Sequence, residues 1–173
     1  MKISWTKVND ADGYYVFLGR GIGGTLELYR SVNASELTLR FEGLERGKIY
    51  KACVKAWKRE DGEERYIGDT SPLVFAIAGS YNAKYCDPKS IRINEKKVVL
   101  ENGDTYRIRA SLKGVRDNMD ILNVMNDLRY FSSNTSVATV SETGNIKARG
   151  AGNCTVYVMA NNGIRAGIRV TVK

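Results

Sequence analysis

Between Leu128 and Val172 apolar side chains recur at every second position, not at every third or fourth. Successive side chains of an extended strand point to opposite faces, so this period specifies strands with one face buried. Leu128 and Tyr130 share such a face, as do Cys154, Val156 and Val158, and then Ile168, Val170 and Val172. Thr155, Tyr157 and Met159 fall on the opposite face. Turn residues divide these runs at Ser132-Ser133-Asn134, Gly144-Asn145, Gly150-Ala151-Gly152 and Asn162-Gly163. The first half follows the same rule. Residues 3–8 alternate, and residues 9–13 form a turn cluster. Tyr14, Val16 and Leu18 then line one face, and a short strand is expected at Leu26 to Tyr29. From Tyr50 the alternation is plain, with Tyr50, Ala52, Val54 and Ala56 pointing one way, and Asp61-Gly62 is a hairpin signal. The chain reads as all-β.

Length sets the number of cores. A β-sandwich needs about 100 residues, so 173 residues hold two with little to spare. Charge separates the halves. Residues 1–80 carry 12 basic and 11 acidic side chains, a balance of +1. Residues 81–173 carry 15 and 8, a balance of +7. A basic surface attracts polyanions such as anionic wall polymer, acidic glycan or nucleic acid, and it also serves solubility. No motif here points to a specific nucleic acid.

Several chemistries fall away. Histidine is absent, which removes imidazole-activated nucleophiles and most zinc sites. Cys53, Cys86 and Cys154 lie far apart with no C-x-x-C spacing. Their odd number leaves at least one thiol free or paired between chains. No apolar run is long enough to span a membrane, and the strand-like residues 2–8 do not read as a leader. Residues 19–24 formally match G-x-G-x-x-G, but the residues that follow alternate like a strand where a dinucleotide site needs a helix. Glu60, Asp61, Glu63 and Glu64 cluster at a hairpin tip, where nothing raises a carboxyl pKa for acid catalysis. Asp10 and Asp12 lack the later ligands of a calcium loop. No catalytic residue, metal or cofactor is expected.

Two resemblances organise the chain. Tyr130, Ser132, Ser133, Asn134, Val137, Ala138, Thr139, Val140, Gly144, Ile146, Ala148, Gly150, Gly152, Cys154 and Val156 follow the signature of the bacterial immunoglobulin-like domain of group 2. Tyr130 stands where tryptophan is usual, and Cys154 where a small residue is usual. The first half resembles a fibronectin type III domain through Trp5, Gly13-Tyr14, Val16, Leu44, Gly47, Tyr50, Val54 and Ala56. Tyr50 would be its corner tyrosine. That family's first strand should precede Trp5, so the reading expects a chain cut inside its first domain, with an unpaired sheet edge open to self-association.

Together the resemblances imply two tandem immunoglobulin-like β-sandwiches. The expected boundaries are residues 1–79 for the first, 80–87 for a linker and 88–173 for the second. They also imply a non-catalytic spacer or adhesive segment of a secreted or surface-anchored bacterial protein, of Gram-positive type. The alternative is a binding module for wall polymer, glycan or a host surface protein. Its polyanion candidates are Lys96, Lys97, Arg107, Arg109, Arg129, Lys147, Arg149 and Arg169, with Lys89, Arg92, Arg116 and Arg165 nearby in the sequence. A second candidate is residues 114–127, an apolar insertion carrying Met119, Ile121, Leu122 and Met125. One helical turn would present Ile121, Leu122 and Met125 together. Two readings stay open there, a cap on the sandwich or an exposed partner patch.

Overall fold

The computed structural model describes residues 1–173. It is all-β apart from one short helical turn, and it divides into two compact units, Met1–Lys84 and Tyr85–Lys173.

The first unit is built from β1 (Lys2–Ser4), β2 (Gly13–Arg20), β3 (Glu27–Asn33), β4 (Thr38–Arg40), β5 (Ile49–Glu60), β6 (Glu63–Ile67) and β7 (Val74–Ile77). One sheet has the order β3-β2-β5, and both β6 and β7 pair with β5. They take different lengths of that long strand: β6 pairs with Ala56–Glu60, β7 with Ile49–Ala52. The other sheet is β1 paired with β4 alone. Ile3, Leu39 and Phe41 pack there against Tyr14, Val16, Val32, Ala52, Val54 and Ala56. Trp5 lies just beyond β1, where its backbone N–H donates to Leu37 O at 3.0 Å. Its ring meets Tyr14 edge-on, with centroids 5.5 Å apart. The Tyr50 hydroxyl accepts the Glu45 N–H at 3.0 Å, tying the strand entry to the preceding loop. Asp61 and Gly62 both have positive φ, 53° and 84°, as a two-residue hairpin turn requires.

The second unit contains β8 (Tyr85–Cys86), β9 (Pro88–Ile93), β10 (Lys97–Leu100), β11 (Thr105–Arg107), β12 (Ala110–Gly114) and β13 (Asp120–Ile121). There follow α1 (Asn123–Asn126), β14 (Leu128–Ser132), β15 (Ala138–Val140), β16 (Asn145–Ala148), β17 (Gly152–Ala160) and β18 (Arg165–Val172). One layer has the order β10-β18-β17-β14, with β10 parallel to β18. Opposite it lie β11-β16-β15 and the pair β12-β9. Val156, Val158, Ile168 and Val170 of the first layer meet Ala138, Ile146 and Ala148 of the second in a closed core.

One detail departs from the expected boundaries. Tyr85 and Cys86 fall in the expected linker, yet they form β8 and pair in parallel with β13. Between Tyr106 and Ala110 the chain changes partner, β11 joining β16 and β12 joining β9. All three cysteines are buried and free.

Candidate polyanion-binding face

The outward face of β10, β18, β17 and β14 concentrates the charge. Inward positions alternate with outward ones, so burial of Val98, Ile168 and Val170 places Lys97, Arg165 and Arg169 outside. Leu128 and Tyr130 pack on the core, which turns Arg129 and Phe131 outward. None of these four strands contains an aspartate or glutamate.

Register sets the arrangement. Arg129 pairs with Met159, which pairs with Arg165. One step along, Phe131 pairs with Tyr157 and Tyr157 with Gly167. A further step brings Thr155, Arg169 and Lys97 into line. An aromatic row thus separates two cationic rows. Phe131 and Tyr157 stack with centroids 5.0 Å apart and 25° between planes, and Phe131 remains 39% exposed. Arg165 sits over the Tyr157 ring at 5.3 Å. A side chain at position 167 would press on Thr155 and Tyr157, with an added Cβ 3.1 Å from Thr155 Cγ2, so Gly167 keeps this part of the face low.

The third row opens into a shallow depression of about 500 Å³ lined by Lys97, Ser133, Asn153, Thr155, Arg169 and Thr171. Within it Thr171 Oγ1 donates to Asn153 Oδ1 at 2.7 Å. Two cations beside hydroxyls and an amide suit an oxyanion with polar substituents. At the other end Arg129 is partly withdrawn from water. Burial lowers its guanidinium pKa, and its Nε is covered without a hydrogen-bond partner.

The twelve basic candidates do not form one patch. Lys97, Arg129, Arg165 and Arg169 share the face just described. Lys96 adjoins it, and its carbonyl accepts the Arg169 N–H at 2.9 Å. Lys147 lies on the opposite layer, between Thr105 and Thr139. Arg149 joins it there, its Nε donating to Thr139 Oγ1 at 3.4 Å, and Arg107 pairs with Asn145. Arg109 is outside both groups, in the turn where its N–H donates to Asn94 Oδ1 at 2.9 Å. Lys89 and Arg92 belong to β9, and Arg116 to the loop after β12.

Residues 114–127 do not present their apolar side chains as a unit. Met125 is fully buried and Leu122 is 7% exposed. Met119 and Ile121 keep partial exposure, beside a polar depression of about 540 Å³ that also includes Lys113 and Asp117. The physical reason is local pairing. β13 docks on β8, and α1 turns Met125 away from solvent. Gly114 is part of this arrangement, since an added Cβ would stand 2.6 Å from Cys86 Sγ.

Sequence reasoning missed Phe131 and Tyr157. Alternation alone puts both outside, but their stacking depends on the β14–β17 register. No group of three or more His, Cys, Asp or Glu side chains is placed to hold a metal ion.

The fold and its signature define an immunoglobulin-like β-sandwich protein. Residues 88–171 match the profile of the bacterial Ig-like domain (group 2). A comparison with curated proteins finds no match. Among solved structures, the chain is similar to domains 4 and 5 of the S-layer protein SbsC, with 17% identity and a TM-score of 0.41, over 70% of this chain and 64% of that one. It is also similar to the C-terminal 282-residue fragment of intimin in complex with the intimin-binding domain of its translocated receptor. There the identity is 15% and the TM-score 0.34, over 99% of this chain and 57% of that one. Fibronectin(III)-like modules of Clostridium thermocellum CbhA show 15% identity and a TM-score of 0.33, over 100% of this chain and 85% of that one. The chain spans less than two thirds of the SbsC and intimin structures.

Proposed function

We propose that this chain is a non-catalytic presentation segment of a bacterial cell-surface protein, of Gram-positive type. A fibronectin type III-like unit is followed by an immunoglobulin-like one. The observation that carries this reading is the match of residues 88–171 to the bacterial Ig-like domain. Two separately buried cores, one per unit, support it, because a spacer must hold its form without a ligand. The Tyr50 corner supports the fibronectin type III likeness of the first unit. Labelling intact cells with an antibody raised against residues 1–173 tests it. Surface labelling lost after shaving with protease is expected, and antigen confined to the cell interior would overturn it.

A second reading rests on one observation, the sheet face with four cations and no carboxylate. It makes the second unit a contact for anionic wall polymer. Charge-driven binding weakens with salt. The full chain should therefore retain lipoteichoic acid at low ionic strength and release it steeply as salt rises. Replacing Arg165 and Arg169 together by alanine should weaken retention, whereas replacing Lys147 and Arg149 should do less. Equal loss from both pairs would show net charge acting without a defined face.

A further inference from the structure

The outward face of the first unit carries an aromatic group that the basic face does not use. Tyr14, Val16, Val54 and Ala56 point into the core, so Tyr15, Lys55 and Trp57 point out. Trp57 pairs with Tyr66 on β6, which sets those two side chains beside each other. Tyr15 lies 5.9 Å from Trp57, with 34° between planes, and 5.9 Å from Tyr66, at 80°. Trp57 covers Gly13, where an added Cβ would meet its Cζ2 at 2.5 Å, so the indole lies low over the strand. Tyr66 is 62% exposed. Trp57 and the tilted Tyr15 thus form a floor, and Tyr66 stands as a wall.

Polar groups rim this corner: one carboxylate, Glu64, and two cations, Arg59 and Lys55, a balance of +1. Glu64 accepts both the Tyr15 hydroxyl and Arg59 Nη2, the latter at 2.8 Å. Lys55 Nζ donates to Gly68 O at 2.7 Å and lies over the Tyr66 ring at 5.5 Å. Arg59 extends over Trp57 at 5.9 Å. A polyanion finds little net charge here. An apolar protein surface would have to bury an ion pair and a lysine against itself, which is costly.

We propose that Tyr15, Trp57 and Tyr66 form a binding corner for a neutral, equatorially linked polysaccharide. The electron-rich face of an aromatic ring attracts the polarised C–H groups on the flat face of a pyranose. Hydroxyls at the sugar's edge are both donors and acceptors, and they match planar Arg59 and Glu64, which hold spare hydrogen-bonding sites. β-1,4-linked pyranoses expose such flat faces in succession, and ring centres 5.9 Å apart suit adjacent residues of one chain.

The test is titration of the full chain with cellohexaose and chitohexaose, followed by tryptophan fluorescence and calorimetry. Binding of at least one hexasaccharide, unchanged by added salt, is expected. Tyr66→Ala should weaken it about tenfold or more, the effect of losing one anchoring aromatic. Trp57→Phe should weaken it less, since a smaller ring remains, and an unchanged melting temperature will certify both variants as folded. Arg165→Ala with Arg169→Ala should leave it intact, which separates this corner from the basic face. Absence of binding to both hexasaccharides would overturn the proposal. So would binding that survives Tyr66→Ala in a folded protein, or that disappears with salt.

Discussion

At Gly144 the backbone and a neighbouring ring both demand glycine. Its φ is +82°, a region where a Cβ is strained, and an added Cβ would stand 2.9 Å from Tyr130 Cε1. Gly144→Ala should destabilise the second unit by about 1–3 kcal/mol, measured by chemical denaturation. Tyr50→Phe removes the acceptor for the Glu45 N–H and should cost the first unit about 1 kcal/mol while leaving its ring in place. Cys53 offers a pH test. Burial holds its thiol above the ordinary pKa, with nearby Lys51 opposing in smaller measure. The folded state then keeps this proton to higher pH than the unfolded chain. The resulting stability is complete below the ordinary thiol pKa and is lost as pH rises through the folded value. The denaturation midpoint of the first unit should therefore fall on the alkaline side, and Cys53→Ala should flatten part of that fall. An identical slope in the variant would exclude the thiol as its cause.

Among the elements, α1 shows how a short segment is decided by its surroundings. Four residues make too few internal hydrogen bonds to hold a helix alone. What holds this turn is burial of Leu122 just before it and of Met125 within it. Leu122→Ala should therefore cost about 2–5 kcal/mol, seen as a lower melting temperature of the second unit. An unchanged melt would mean that this burial contributes nothing. Strand β5 makes the complementary point. Its alternation was legible from Tyr50 onward, because Tyr50, Ala52, Val54 and Ala56 share one inward face. That β6 and β7 divide its length was not legible, because pairing partners leave no period in the sequence.

For the whole molecule the question is whether the two cores act separately. Ile168 is fully buried in the second. Ile168→Ala should lower one calorimetric transition by about 2–5 kcal/mol in stability and leave the other in place. A joint shift of both transitions would show that the units unfold together. The excess of +7 in residues 81–173 was countable from the start, but its division between two faces was not. Lys97 and Arg169 are far apart in sequence and adjacent in space only because β10 joins β18 in parallel.

The all-β class, the inward positions, the hairpin turns and the signature of residues 88–171 are legible in the residues alone. Those are local properties: a strand's period, a glycine's dihedral freedom and the spacing of small residues are written in neighbouring positions. Which outward residues meet follows only from the folded arrangement of the strands. The stack of Phe131 on Tyr157, the corner of Tyr15, Trp57 and Tyr66, and the retreat of Leu122 and Met125 from solvent all depend on register and sheet order. Those are set by the summed packing of distant strands, and a one-residue slip would turn the stacked and cornered strand side chains to the other face.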